Sequence, residues 1–311
     1  MGEPRSAYYS RRMSPARFPR LLPVIAVTAA TVLVMAAADR PMRVQAQART
    51  PAPAGTAAAP TSADAQERFL REAEVVASKQ LGKGVTHPWR LTLKLGDVTH
   101  DAAFQSVDKA KDEVRFRSGR TERDFRDYYG YNIAAYRLAR AIGYVDLVPA
   151  TVSRRWNGEV GALTWWIDKK WDEDERQKAG VQPPDMAAWE RQLYVARAFT
   201  QLVDDSDRNL GNQLVTADFH LWLIDFTRAF RLEREPKNPA YLRRIERRLF
   251  DRLKEMTDRD IEAAVGEYVV GPELASLKAR RAALVAHFDA LIAQRGRDVI
   301  LFDTPTPQEQ P

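Results

Sequence analysis

Asp207-Arg208-Asn209-Leu210-Gly211-Asn212, followed by Ile224-Asp225-Phe226, is the stretch on which the reading of this chain turns. It sets two carboxylates and a carboxamide at a spacing that phosphoryl-transfer sites use. The residues between them read as a β-hairpin. Gln213-Leu214-Val215-Thr216 is one strand, Ala217-Asp218-Phe219-His220 the turn, and Leu221-Trp222-Leu223-Ile224 the return. Antiparallel pairing around that turn sets 216 opposite 221, 214 opposite 223 and 212 opposite 225. Asn212 and Asp225 then emerge together at the open end, with Asp207 on the loop entering the first strand. Two hard oxygen ligands beside a carboxylate suit Mg²⁺ and a hydroxyl nucleophile. A lone Asp-Asn pair would fit an ordinary polar hairpin, but the whole string favours a site.

Composition removes competing chemistries. The 311 residues can bury a large core, as one two-lobed domain or two small ones. There is no cysteine, so thiolate metal sites, a Cys nucleophile and disulfides are excluded. The four histidines, His87, His100, His220 and His287, have no i, i+4 pairing, which argues against zinc. No Gly-x-Ser-x-Gly elbow is present, so an α/β-hydrolase has no nucleophile to start from.

The first 48 residues are different material. Five arginines between Arg5 and Arg20 precede an uncharged apolar run from Leu21 to Ala38, and Gln45-Ala46-Gln47-Ala48 closes the segment. This is the layout of an export signal cleaved after Ala48, and an uncleaved anchor through 21–38 is the alternative. An exported, periplasmic or membrane-anchored, outward-facing protein is expected. Seven of the 48 basic and two of the 42 acidic residues lie in this leader. The remainder carries 41 against 40, a net of +1, so nucleic acid is not an expected partner. Residues 49–64, rich in Ala, Pro and Thr, read as a flexible linker.

Beyond it, 64–80 has helical spacing, Trp89 to Leu95 alternates as a half-buried strand, and Val98 to Val107 returns as its hairpin partner. A charged stretch runs from Asp108 to Arg126. Tyr131 to Ile142 is a helix closed by Gly143. Leu147 to Arg154 and Gly161 to Ile167 are strands, and Lys169 to Gln182 is polar and expected to be exposed. Helices follow at Met186–Leu202, Tyr241–Met256, Asp258–Val265 and Glu273–Arg295. Arg243, Arg244, Arg247 and Arg248 read as a solvated face. Trp165 and Trp166 precede the expected inter-lobe hinge. They either line an adenine-like pocket or form a core residue and its opposite-face neighbour.

At Asp207 through Asp225 the sequence resembles the atypical kinases: the phosphatidylinositol-kinase group, the HipA group and the secretory-pathway casein kinases. The resemblance extends over roughly residues 80–295. It implies an α+β, two-lobed protein-kinase-like fold, with a small strand-rich N-lobe over 65–168 and a larger helical C-lobe over 169–311. It also implies Mg²⁺ and ATP as cofactors. Carried over by position, Asp207 orients or deprotonates the acceptor hydroxyl, Asn212 binds metal, and Asp225 bridges metal to phosphate. Asn209 stands where the family usually has His. The acceptor, whether protein, lipid or small molecule, has no specificity string.

The N-terminal half departs from that pattern. The family's strand lysine, which holds the α- and β-phosphates, is replaced in Ala103-Phe104-Gln105-Ser106-Val107 by Gln105. Its helix glutamate is replaced in Asn132-Ile133-Ala134-Ala135-Tyr136 by Asn132. The two changes fit one another. Removing one partner of a buried ion pair costs about 3–5 kcal/mol, whereas exchanging both leaves a neutral hydrogen-bonded pair. Gln105 and Asn132 are therefore expected to meet, at the loss of a positive charge opposite the phosphates. Lys109, Lys111, Arg115, Arg117 and Arg120 lie just downstream as alternative cations. The expected function is a Mg²⁺-dependent phosphotransferase with an atypical phosphate clamp; the alternative is a catalytically inactive kinase-fold binding or scaffold protein.

Overall fold

The computed structural model describes residues 58–82, 88–116, 119 and 121–304, all within one compact unit, Pro53–Pro311. The expected leader over 1–48 and most of the 49–64 linker lie outside the described residues. The N-terminal part holds α1 (Ala63–Glu72), β1 (Glu74–Gln80), β2 (Trp89–Leu95), β3 (Val98–Gln105), β4 (Asp108–Arg115), β5 (Thr121–Tyr128), α2 (Gly130–Ala141), β6 (Thr151–Trp156) and β7 (Glu159–Trp165). After it come β8 (Trp171–Asp172), α3 (Glu173–Lys178), α4 (Met186–Leu202), β9 (Gln213–Val215), β10 (Leu221–Leu223) and β11 (Ile245–Glu246). The chain closes with α5 (Arg247–Glu255), α6 (Asp258–Val265), α7 (Gly271–Arg295), α8 (Arg297–Ile300) and β12 (Leu301–Phe302).

An antiparallel sheet in the order β1-β2-β3-β7-β6 forms the N-terminal layer. Alternation builds it: Leu91 and Leu93 of β2, and Ala102 and Phe104 of β3, are fully or almost fully buried, while Lys94 is exposed. Helix α2 is buried along most of its length and packs on β6 and β7. It ends as the sequence predicts, at Gly143 with φ +86°, where Tyr144 N–H reaches back to Ala139 C=O at 2.8 Å. Gly161 of β7 is required by close approach. A Cβ there would sit 2.4 Å from the Gln105 carbonyl oxygen and against the Phe104 ring. That missing atom lets the end of β3 lie flat on β7.

Several expectations are corrected. Residues 74–80 are an edge strand, not the second half of a helix. Ala73 leaves α1 in an extended conformation, and the β-branched Val75 and Val76 follow; nearly all of β1 is exposed, so no periodic apolar face marks it. The charged stretch 108–126 is the β4–β5 hairpin, a separate two-stranded sheet built almost entirely of polar residues. The segment 169–182 is not uniformly exposed. Its Arg176 grips Glu173 through Nε and Nη2, both at 2.7 Å, with both side chains nearly buried. The helix expected from Tyr241 starts only at Arg247, because Ile245–Glu246 pairs in parallel with β12. The helices at Met186–Leu202 and Asp258–Val265 have the predicted bounds.

Candidate active site

Helix α4 delivers the chain to a loop, residues 204–212, that a few polar contacts shape. Asn209 caps a 3₁₀ turn at Leu210–Asn212 by accepting from Gly211 N–H at 2.9 Å, and its amide donates to Asp207 C=O at 3.0 Å. In this chain, then, Asn209 folds its own loop. Arg208 is the principal fastener. Its Nη1 donates to the carbonyls of Asn212 and Ile224, each at 2.7 Å, Nη2 pairs with the buried Asp205 carboxylate, and the guanidinium lies 4.4 Å from the Phe226 ring centroid. One side chain thereby ties the loop to both ends of the β9–β10 hairpin. Lysine offers no such planar fork. Arg208→Lys is expected to lower stability by about 2 kcal/mol in urea unfolding, since bonds from a charged donor are lost in a nearly dry site.

The hairpin itself is present with its register shifted by one residue. Val215 pairs with Leu221 and Gln213 with Leu223, so Asn212 stands opposite Ile224, whose N–H bonds the Asn212 carbonyl at 3.1 Å. The cause is a three-residue loop, 217–219, with Phe219 at φ +63° and Thr216 N–H donating to His220 C=O at 3.1 Å. Asp225 lies one residue past the ladder and turns out of it at φ +57°.

Asp225 is half-buried, and its carboxyl is pushed above the usual carboxylate range. Burial is the main cause. Asp205 and Asp127 reinforce it, whereas Arg208 and a 3.2 Å bond from the Thr227 hydroxyl oppose it. The left-handed conformation is held from the N-terminal part. Phe226 N–H donates to Asn132 Oδ1 at 2.7 Å, and Asn132 Nδ2 donates to Gln105 Oε1 at 2.8 Å. The amide pair expected from the sequence is thus formed. Asn132 is buried, with both ends of its amide engaged, which makes it a positioning residue.

Asp207 is exposed at the loop's tip, its N–H bonded to Asp205 Oδ1 at 3.1 Å. Its carboxylate lies 3.8 Å from Arg228 Nη1, and Arg228 also pairs with Glu122 and stacks near Phe125 and Phe116 of the β4–β5 region. Trp165 belongs to the core, stacked on His100 with centroids 3.7 Å apart, while Trp166 sits under Arg90 at 4.3 Å. That is the core-and-neighbour arrangement.

The residues present fit a divalent cation. Asp225 is a carboxyl in carboxylate company, and the neighbouring cation Arg208 is committed to two carbonyls and Asp205. Among the described residues no three of His, Asp or Glu converge as a metal cage. Mg²⁺ needs no such cage, since it is held through one or two protein oxygens plus phosphates and water. Two residues escaped the sequence reading. Arg208 lay inside the quoted string without a role, and Asp127 sat one residue past the stretch read as merely charged.

No family model matches the chain, and no curated protein matches it. Solved structures do. The structure of hydra Fam20 with sugar matches with a TM-score of 0.53 at 13% identity, covering 77% of this chain and 91% of that one. The Golgi casein kinase matches with 0.51 at 13%, covering 78% and 79%. The Helicobacter pylori proinflammatory kinase CtkA follows with 0.48 at 10%, covering 73% and 98%. At such identities the likeness speaks for architecture. The chain has an atypical kinase-like fold, with an antiparallel, strand-rich N-terminal region and a helical C-terminal region.

Proposed function

We propose that the protein is a Mg²⁺-dependent, ATP-using phosphotransferase of the atypical kinase type. The observation that carries this reading is Asp225. Its raised carboxyl is held in the left-handed region by the Asn132–Phe226 bond, beside the ladder end that carries Asn212. A non-glycine residue in that conformation costs free energy, and the surrounding bonds over-determine it. A purely structural hairpin end needs neither the strain nor the buried charge.

In this reading Asn212 and Asp225 hold the cation, which when bound neutralises charge on the transferring phosphoryl group. Asp207, exposed at the tip, accepts the proton of the acceptor hydroxyl or orients it. Arg208 and Asn209 hold that tip in place, and the Gln105–Asn132 pair fixes the backbone that aims Asp225. Next to the loop, and lined by neither Asp207 nor Asp225, lies a polar cavity of about 520 Å³ whose wall includes Asp205 and Ser206, Glu122 and Asp124 of β5, and Arg231; we infer that the acceptor docks there. Its lining suits a hydroxyl-bearing polar group from a protein, lipid or small molecule. Export or anchoring through 21–38 remains part of the proposal. Mg²⁺-ATP is expected to raise the melting temperature, because a ligand at about 100 times Kd adds about 2.7 kcal/mol. Asp207→Asn keeps that shift and loses transfer; absence of any shift in the wild type defeats the proposal.

A second reading has its own support. The neutral Gln105–Asn132 pair supplies no positive charge to a triphosphate, as a kinase-fold binding protein without catalysis would have it. In that case Mg²⁺-ATP leaves the melting temperature unchanged.

A further inference from the structure

Among the described residues the cations beside Asp225 and Asp207, Arg208 and Arg228, are paired with carboxylates, and the β4–β5 hairpin offers another. Its root is fixed at the cleft. Tyr128 N–H donates to Thr227 C=O at 2.8 Å, two residues past Asp225, and Tyr129 N–H donates to Val107 C=O at 2.7 Å, two residues past Gln105. The first ladder pairs above that root are Asp108 with Tyr128 and Lys109 with Asp127. Residues directly opposite in an antiparallel ladder share a face. Lys109 and Asp127 therefore share theirs with Lys111 and Phe125, the next same-face pair, and Phe125 meets Arg228 at 4.9 Å. Glu122, of the alternate set on β5, pairs with Arg228 as well, so the hairpin is moored along the 225–231 segment.

The two members of the pair are poised but not joined. Asp127 Oδ1 is buried with no hydrogen-bond partner among the described residues, and its charge acts on Asp225. Lys109 is exposed and makes no ion pair or hydrogen bond among the described residues. The other downstream cations are less well placed. Arg126 is engaged with Asp108 at 2.8 Å and with the Tyr128 ring. Arg115 lies at the far end of the hairpin opposite Thr121, Lys111 is one same-face step further from the root, and Arg117 and Arg120 lie outside the described residues.

We propose that Lys109, presented with Asp127 at the root of the β4–β5 hairpin, supplies the phosphate-binding cation that Gln105 has replaced on β3. The cation has moved from the strand to the hairpin beside it, and the buried strand position could then become neutral together with its helix partner. Asp127 keeps the lysine's face polar and adds carboxylate character next to Asp225. This inference rests on the nucleotide-binding reading of the site, and the test separates the two.

The test measures thermal shift and equilibrium binding with Mg²⁺-ATP and with Mg²⁺-AMP for the wild type, Lys109→Met, Lys111→Met and Lys94→Met, the last an exposed residue of β2. The expected result is wild-type binding of Mg²⁺-ATP, weakened at least tenfold in Lys109→Met alone, with AMP affinity equal in all four proteins. Retained ATP affinity in Lys109→Met, or a larger loss in Lys111→Met, overturns the assignment while leaving the nucleotide site standing. No ATP binding by the wild type overturns both. Lys109→Arg, expected to recover most of the affinity, shows that the loss is one of charge and not of folding.

Discussion

Asp225→Asn is expected to produce a protein more stable than the wild type and blind to Mg²⁺-ATP. Both effects come from one carboxyl. Burial beside Asp205 and Asp127 raises it above the ordinary carboxylate range, so the folded state holds its proton more tightly than the unfolded chain. The sign follows from that difference. Its contribution to stability is complete below the unfolded value and is lost as pH rises through the folded one. At neutral pH the ligand-free protein therefore carries a penalty that the neutral amide removes. The gain is on the order of 1–3 kcal/mol, the scale of incompletely compensated buried polar groups. Asparagine is the right probe because it tolerates a φ of +57° as well as aspartate does, whereas alanine would add about 1 kcal/mol of backbone strain. Urea unfolding across pH 4 to 8 checks the claim. The wild-type stability should fall with pH more steeply than that of the variant, and Mg²⁺-ATP should stabilise only the wild type. A variant less stable at pH 7 that keeps its nucleotide shift would show Asp225 to be a structural hydrogen-bond acceptor.

The legibility of this site follows the range of the forces that build it. The β9–β10 hairpin is readable because alternation and a turn are local properties of 213–224. Its register is not, because a three-residue loop with Phe219 in the left-handed region competes with a four-residue one, and nothing in the side chains decides between them. That one-residue slip moves Asp225 off the ladder, where its backbone needs Asn132 to hold it. The Gln105–Asn132 contact is readable for a different reason, namely that two simultaneous charge losses make sense only if the residues meet. Arg208 and Asp127 offer no such clue. Arg208 depends on nearby groups, Asp205 and the Asn212 and Ile224 carbonyls, that converge only once the loop and hairpin have folded, and Asp127 on a carboxyl far along the chain; a polar residue in a polar stretch does not announce its partner. The same holds for β4 and β5, whose charged strands gain their place from the Tyr128–Thr227 and Arg228–Glu122 contacts and not from any apolar periodicity.

The Gln105–Asn132 pair carries the second large effect, and a double-mutant cycle isolates it. Asn132→Asp keeps an oxygen for Phe226 N–H but sets a buried carboxylate against the Gln105 oxygen, close to a segment already rich in negative charge. Its cost is expected to be about 3 kcal/mol or more, as for an unpaired buried ion. Gln105→Lys alone is milder, about 1 kcal/mol, because Gln105 is only half-buried and a lysine stem can carry its ammonium toward water. Combined, the introduced ammonium and carboxylate satisfy one another, and the double variant should be more stable than the sum of the single losses predicts by about 2 kcal/mol. Chemical denaturation of all four proteins measures that coupling. A value near zero would mean that Asn132 acts through Phe226 alone and that Gln105 is a bystander. A positive value would show that the neutral pair and the charged pair are two solutions to one packing problem. In that case neutrality at β3 is not in itself a loss of function, since the charge that phosphates require can enter from the neighbouring hairpin.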